Sequence, residues 1–283
     1  MSVASFIPEI WNASLLLEFR EQALAASVTN RGYEGDARVG NTVVINTAAD
    51  VAIKDYAAGA GGNPRTTEPD PVAADDQKLL IDQEKNFDFL VDDIDRRQAA
   101  GSMDAYTQSA GLGLAEDADR FLLTLAEAGA HADNQLDGSG DAPTTGDDAF
   151  DILADLRKAL NKKSVPRGNR VAFINAEFAR HLYSADAKLT SVDVSGDSAG
   201  LREATLGRLL GFRIIESENL PETDDPQVVA WYQPTVAFVS QITDTEAMRA
   251  EASFSDRLRG LHVYGGRVIR PVGVATWNVG TSG

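Results

Sequence analysis

Between Ala57 and Asp76 the chain reads AAGAGGNPRTTEPDPVAADD, a polar tongue with almost nothing to bury, flanked by two strand-like runs, Val51 to Tyr56 and Leu79 to Val91. A compact domain rarely accommodates about 20 residues of this composition between strands, so such a tongue is either disordered or completed by contacts from another subunit. The second reading makes this an assembly protein. In the run after the tongue, Leu79, Ile81, Phe87, Phe89 and Val91 fall on one face and Asp82, Glu84, Asn86, Asp88 and Asp92 on the other, which predicts a long half-buried strand. With Val51 and Ile53 placed across from it, the pair is expected to form a two-stranded arm reaching about 30 Å.

The other elements follow from local pattern. Pro8 and Glu9 mark a helix start, and Leu16, Phe19, Ala23 and Ala26 recur at helical spacing until Asn30-Arg31-Gly32, predicting a helical arm too apolar to lie free. A strand is expected at Thr42 to Thr47. Met103, Tyr106, Ala110, Leu114, Ala118, Phe121, Leu122 and Leu125 trace one face of a long helix running to about Ala130, with Gly111 and Gly113 inside it. His131 to Gly146 reads as a boundary. A second helix, Asp147 to about Leu160, has acids in its first turn and lysines at its end, as the helix dipole favours. Strand Arg170 to Ile174 and a short helix from Ala176 to Tyr183, capped by Asn175, come next. Further strands are expected at Phe212 to Glu216, Val228 to Tyr232, Val236 to Ser240, His262 to Ile269 and Val272 to Val279. The pattern is α+β.

Composition narrows the function classes. At 283 residues with 43% hydrophobic content the chain can bury a real core, while its longest apolar runs fall far short of the roughly 20 residues a membrane-spanning helix needs. It contains no cysteine, which removes disulfides and thiolate metal sites. The net charge of −17 disfavours nucleic-acid recognition, and the basic groupings singled out are Arg96-Arg97, Lys162-Lys163 and the spaced Arg257, Arg259, Arg267 and Arg270. Gly196-Asp197-Ser198-Ala199-Gly200 matches the G-x-S-x-G of a serine nucleophile elbow. The run before it is half polar, however, and the downstream His262 lies on a predicted strand. Gly59 to Gly62 lacks the Lys-Ser or Lys-Thr of a phosphate cradle. Asp92, Asp93 and Asp95, like Asp224 and Asp225, lack ion-loop spacing, and His131, His181 and His262 form no ligand pair. No cofactor, metal or catalytic residue is therefore assigned. Trp11, Trp231 and Trp277 read as packing residues.

Arm helix, long β-protrusion, long helix, α+β region and returning strands form an order of parts with a precedent. Together with FIPEIWNASLLLEFREQALAASVTNRGYEG at 6–35, NTVVINT at 41–47, QEKNFDFLVDDIDRRQA at 83–99 and GRLLGFRIIESENLP at 207–221, this order resembles the major capsid proteins of tailed double-stranded DNA bacteriophages, with the HK97 fold. The resemblance implies an N-terminal arm (1–35), an extended β-hairpin loop (36–95), a spine helix with part of the peripheral domain (96–145), an axial domain (146–241) and returning strands of the peripheral domain (242–283). It further implies self-assembly into hexameric and pentameric capsomers of an icosahedral head enclosing DNA without sequence-specific binding. The expected partners are a portal, an optional decoration protein and a separate scaffolding protein, the last because the arm begins at Phe6 with no long preceding segment. Trp11, Leu16, Phe19, Tyr56, Asn63, Arg65 and Asp70 are expected to make assembly contacts. Three other readings compete with this one: an encapsulin-type nanocompartment shell, a serine hydrolase built on Ser198, and a monomeric binding module.

Overall fold

The computed structural model describes residues 23–35, 40–48, 53–56, 69, 74–92, 104–138, 140–183, 207–222, 224–250 and 253–280. Their centre is a six-stranded sheet of β4 (Gln135–Asp137), β5 (Arg170–Ile174), β6 (Arg208–Leu209), β7 (Phe212–Glu216), β8 (Gln227–Tyr232) and β11 (Val274–Asn278), in the order β4-β11-β8-β5-β7-β6. Every residue of β5 is buried, which fits a strand with a layer on each side. Alternation divides them: Val171 and Phe173 enter one core with Trp231 and Ile215, and Ala172 and Ile174 enter the other with Phe212 and Trp277.

Each face is covered by helix. Helix α1 (Asp104–Ala128), about 37 Å long at 1.5 Å per residue, lays Ala118, Leu122, Leu123 and Ala126 on the first core. It passes through Gly111 and Gly113 without interruption. Helix α2 (Gly146–Lys162) and helix α3 (Ala176–Leu182) cover the second core with Ala149, Leu153, Leu156, Leu160, Phe178 and Leu182. Both starts are fixed by local chemistry. The Thr145 side chain accepts from Asp148 N–H while Asp148 accepts from Thr145 N–H, a full capping box, and the Asn175 side chain accepts from Phe178 N–H. The Leu210-Gly211 turn between β6 and β7 has φ values of 50° and 86°, the backbone a tight hairpin of right-twisted strands demands.

A second sheet projects from this body. β9 (Val236–Arg249) and β10 (Ser255–Val268) are 14 residues each, a hairpin about 46 Å long at 3.3 Å per residue, and β3 (Gln83–Asp92) pairs antiparallel along the outer part of β10. A third, smaller sheet joins β1 (Thr42–Ala48) to β2 (Ala74–Leu80).

The structure corrects several expectations. Ile53 to Tyr56 form no strand, and the partner of β3 is β10 rather than the segment at Val51 and Ile53. The segment expected to protrude is instead flanked by β1 and β2, paired with Thr42 opposite Leu80 and Ala48 opposite Ala74. The run from Leu79 to Val91 is not one strand but two, broken at Ile81-Asp82 where the chain leaves one sheet for another. Ala26 lies in a single 3-10 turn, Ala25–Val28, and not in an α-helix, while the arm before residue 23 lies outside the described residues. β9 and β10 run well past the ends their hydrophobic segments suggested, because their outer halves, where polar and apolar residues mix, gain their order from pairing. A short 3-10 turn, Pro271–Gly273, holds the start of the last strand back to Val274, and the supposed boundary after His131 contributes β4. The remaining expected elements form where the pattern placed them.

Candidate assembly surfaces

The root of the protrusion has a small core of its own. Val43 and Ile45 of β1 and Leu79 of β2 point inward with Ile81 against Ala237 and Val239 of β9, Val263 of β10 and Ile269. Period-two alternation then places Val44 and Leu80 on the outer face, where both are about half exposed. Backbone closes the joint: Ile81 N–H donates to Asn41 O at 2.8 Å, Gln241 Nε2 to Gly40 O at 3.0 Å and Arg267 Nη1 to Lys78 O at 2.5 Å. The link from β2 to β3 crosses β10 at Gly265, where a Cβ would fall 2.8 Å from Ile81 Cα and collide with the Leu80 carbonyl. Only glycine lets the two backbones approach so closely.

The segment that enters from the N-terminal side is held against the body at three points. The Asp119 carboxylate on α1 accepts from Ala25 N–H at 2.5 Å and from Asn219 Nδ2 at 3.3 Å. Trp231 Nε1 donates to Val28 O at 3.1 Å, and Asn30 bridges β9 through Val236 O and Phe238 N–H at 2.8 and 3.0 Å. Burial of Asp119 raises its pKa above the ordinary 3.8, a rise its hydrogen bonds from Ala25, Asn219, Ala26 and Leu24 oppose.

The outer sheet is polar and ionic on one face. Arg257 reaches across the strand pair to Asp88 (Nε to Oδ1, 2.8 Å) and Arg259 to Glu246 (Nη2 to Oε2, 2.6 Å). Leu90 and Met248 flank Arg257 on that face and are exposed, as Leu261 is four residues along β10. On the opposite face the Phe87 ring lies over Gly260, the residue directly across from it. Phe254, between β9 and β10, is 82% exposed, and Ile53 in the protrusion is fully exposed. These are large apolar side chains on projecting elements, the arrangement of a subunit that meets other subunits.

Chemistry is harder to find. His262 Nε2 and Ser240 Oγ lie 3.0 Å apart across β9 and β10, and burial lowers the His262 pKa against the opposing charge of Asp117. Asp117 is engaged elsewhere, accepting from Tyr264 O–H at 2.6 Å and lying 3.5 Å from Lys85 Nζ. Burial, with the Asp117 carboxylate beside it, raises the Tyr264 pKa well above its ordinary value, so the phenol keeps its proton. The pair is thus a cross-strand hydrogen bond, with no carboxylate bonded to the imidazole among the described residues. Among the described residues no three His, Asp or Glu side chains gather as a metal site. No helix among them is long and apolar enough to cross a membrane.

Of the residues expected to make contacts, Tyr56 is exposed at the end of the described stretch of the protrusion. Trp11, Leu16, Phe19, Asn63, Arg65 and Asp70 lie outside the described residues, as does Ser198 with its glycine-flanked motif. Trp231 and Trp277 are buried in the two cores, as their reading as packing residues required. Asp119, Gly265 and the exposed apolar side chains of the hairpin were missed. A carboxylate at a helical position facing an otherwise apolar stripe, between Ala118 and Leu122, was the available signal for the first.

Comparison with known proteins converges on one family. A family model described as phage capsid protein matches residues 77–277. The structure of Mycobacterium phage Che8 is similar at 48% identity over 99% of this chain and 100% of that one, with a TM-score of 0.88. The fold recurs in the capsid structure of cyanophage P-SCSP1u (14% identity, 98% and 94% of the two chains, TM-score 0.78). It recurs again in the mature capsid of bacteriophage PhiM1 (15% identity, 96% and 92%, TM-score 0.72). No curated protein sequence matches the chain.

Proposed function

The chain belongs to the phage capsid protein family and is a phage major capsid protein with the HK97 fold, and from that premise we propose that it forms hexameric and pentameric capsomers in which the protrusion rooted at β1 and β2 lies across a neighbouring subunit. It forms the virion shell, and its work is association into capsomers. The observation that carries the finer reading is the asymmetry of the protrusion's root. Val43, Ile45, Leu79 and Ile81 are satisfied within the subunit, whereas Val44, Leu80 and Ile53 have their apolar surface in solvent. A monomer gains nothing from exposing these side chains, while a closed shell of many copies covers them repeatedly.

On this reading the arm comprises 1–35, the extended loop 36–95, the spine helix and part of the peripheral domain 96–145, the axial domain 146–241 and the returning strands 242–283. Trp11, Leu16, Phe19, Tyr56, Asn63, Arg65 and Asp70 are contact residues, and assembly takes place in the host bacterial cytoplasm. DNA is enclosed without sequence-specific contacts, which suits the net charge of −17. Scaffolding, portal and decoration proteins are the further partners it entails. The family match to phage capsid proteins disfavours a nanocompartment shell.

Deleting Gly59 to Pro71 tests the proposal. The root is sealed by its own core and hydrogen bonds, so the shortened subunit is expected to fold with an unchanged melting temperature but to yield no stable shells by electron microscopy. Unfolding of the subunit, or normal shells, would show that the tongue is not an intersubunit element.

A further inference from the structure

From Arg157 to Arg170 the chain reads RKALNKKSVPRGNR, six cations without an acid, in a protein of net charge −17. The fold gathers the whole stretch into one corner, where the end of α2 turns through Ser164, at a φ of 58°, into β5. Arg170 is buried at its centre and held by uncharged oxygens: Nε donates to Pro166 O at 2.8 Å, and Nη2 to Val165 O at 2.6 Å and Asn161 Oδ1 at 2.9 Å. Burial, with the nearby charges of Arg157 and Arg167, lowers its pKa. Lys158 is paired with Asp155 at 3.0 Å and Lys163 with Asp133 at 2.5 Å. Arg157, Lys162 and Arg167 have no carboxylate partner among the described residues, and Lys162 and Arg167 are exposed.

Crowded like charges raise one another's free energy, and among the described residues no carboxylate offsets Arg157, Lys162 or Arg167. An anionic partner would. Two anions are available to a capsid subunit, its own neighbours and the genome. The chain carries 43 acids against 26 Lys and Arg, so another copy presents an excess of negative charge, and β3, paired on one edge among the described residues, carries Glu84, Asp88 and Asp92 against one lysine, with Asp88 bound to Arg257. A subunit in a shell meets neighbours around its whole perimeter and enclosed DNA on one side. We propose that the basic corner at 157–170 is an intersubunit contact that docks on the acidic surface of a neighbouring copy. This rests on the capsid reading above and specifies where charge, rather than apolar cover, joins the subunits.

The test is the triple variant Arg157→Gln, Lys162→Gln, Arg167→Gln, produced in host cells together with the phage's other head genes. Empty precursor shells and DNA-filled heads are counted by electron microscopy. The purified variant should keep its circular dichroism and melting temperature, and empty shells should fall at least about tenfold, since each lost contact is multiplied over many copies. The charge-keeping variant Arg157→Lys, Lys162→Arg, Arg167→Lys should restore them. Normal numbers of empty shells overturn the proposal, and a deficit confined to DNA-filled heads assigns the corner to the genome instead. Should the triple variant fail to fold, Lys162→Glu at its exposed position carries the same comparison. Absence of shells from the unaltered gene would count against the capsid reading itself, and the proposal would fall with it.

Discussion

Gly265 of β10 lies directly beneath Leu80, so close that a Cβ at Gly265 would overlap the Leu80 carbonyl and sit 2.8 Å from Ile81 Cα. Backbone, unlike the end of a flexible side chain, cannot swing away. Gly265→Ala is therefore expected to destabilise the subunit by about 1–3 kcal/mol through overpacking and to loosen the protrusion at its root. Thermal denaturation measures the first, and hydrogen exchange at Leu79 to Ile81 the second.

Gly260 makes the contrasting case. Its obstruction is the Phe87 ring, which can rotate, so Gly260→Ala should cost less than Gly265→Ala, and trimming the ring with Phe87→Leu should recover part of the loss. Equal losses at the two glycines, by chemical denaturation, would contradict this account of the joint.

Asp119 anchors the entering segment, and removing its carboxylate leaves Ala25 N–H without that partner. Asp119→Ala is expected to cost about 1–3 kcal/mol and to raise exchange at Leu24 to Val28. The pH dependence has a definite sign. The folded-state pKa lies above the ordinary 3.8, so the folded protein holds this proton more tightly than the unfolded chain. The group's contribution is full below 3.8 and declines as pH rises through the raised value. Asp119→Asn should flatten that part of a stability–pH curve.

The start of α2 behaves oppositely. Hydrogen bonds from the Thr145 and Thr144 side chains and backbone lower the Asp148 pKa, so its contribution is present above 3.8 and is lost as pH falls through the lowered value. Thr145→Ala removes the reciprocal cap and is expected to cost about 0.5–2 kcal/mol, read from the melting temperature at neutral pH.

The first core supplies a larger effect. Phe173 and Trp231 stack at 4.8 Å with both side chains fully buried, so Phe173→Ala should cost about 3–5 kcal/mol in unfolding free energy. Trp231→Phe keeps most of the packing but loses the donor to Val28 O, and should mainly free the entering segment. Tryptophan fluorescence and hydrogen exchange separate the two.

Helical spacing from Ala110 to Leu125, the Thr145 and Asn175 caps, and the short apolar runs of β5, β7 and β8 carried enough local information to place the two-sided core. So did the order of parts, from which the capsid family was legible. Alternation in β3 fixed which side chains share a face, because strand geometry alternates whatever lies alongside. It could not name the partner strand: backbone donors and acceptors are alike in every strand, and the one chosen, β10, is about 170 residues away. Burial across the whole fold decided that pairing and packed β1 and β2 against β9 and β10. It also drew Asp119 to a backbone 94 residues distant. Local chemistry determined the elements of this protein; long-range packing determined which of them meet.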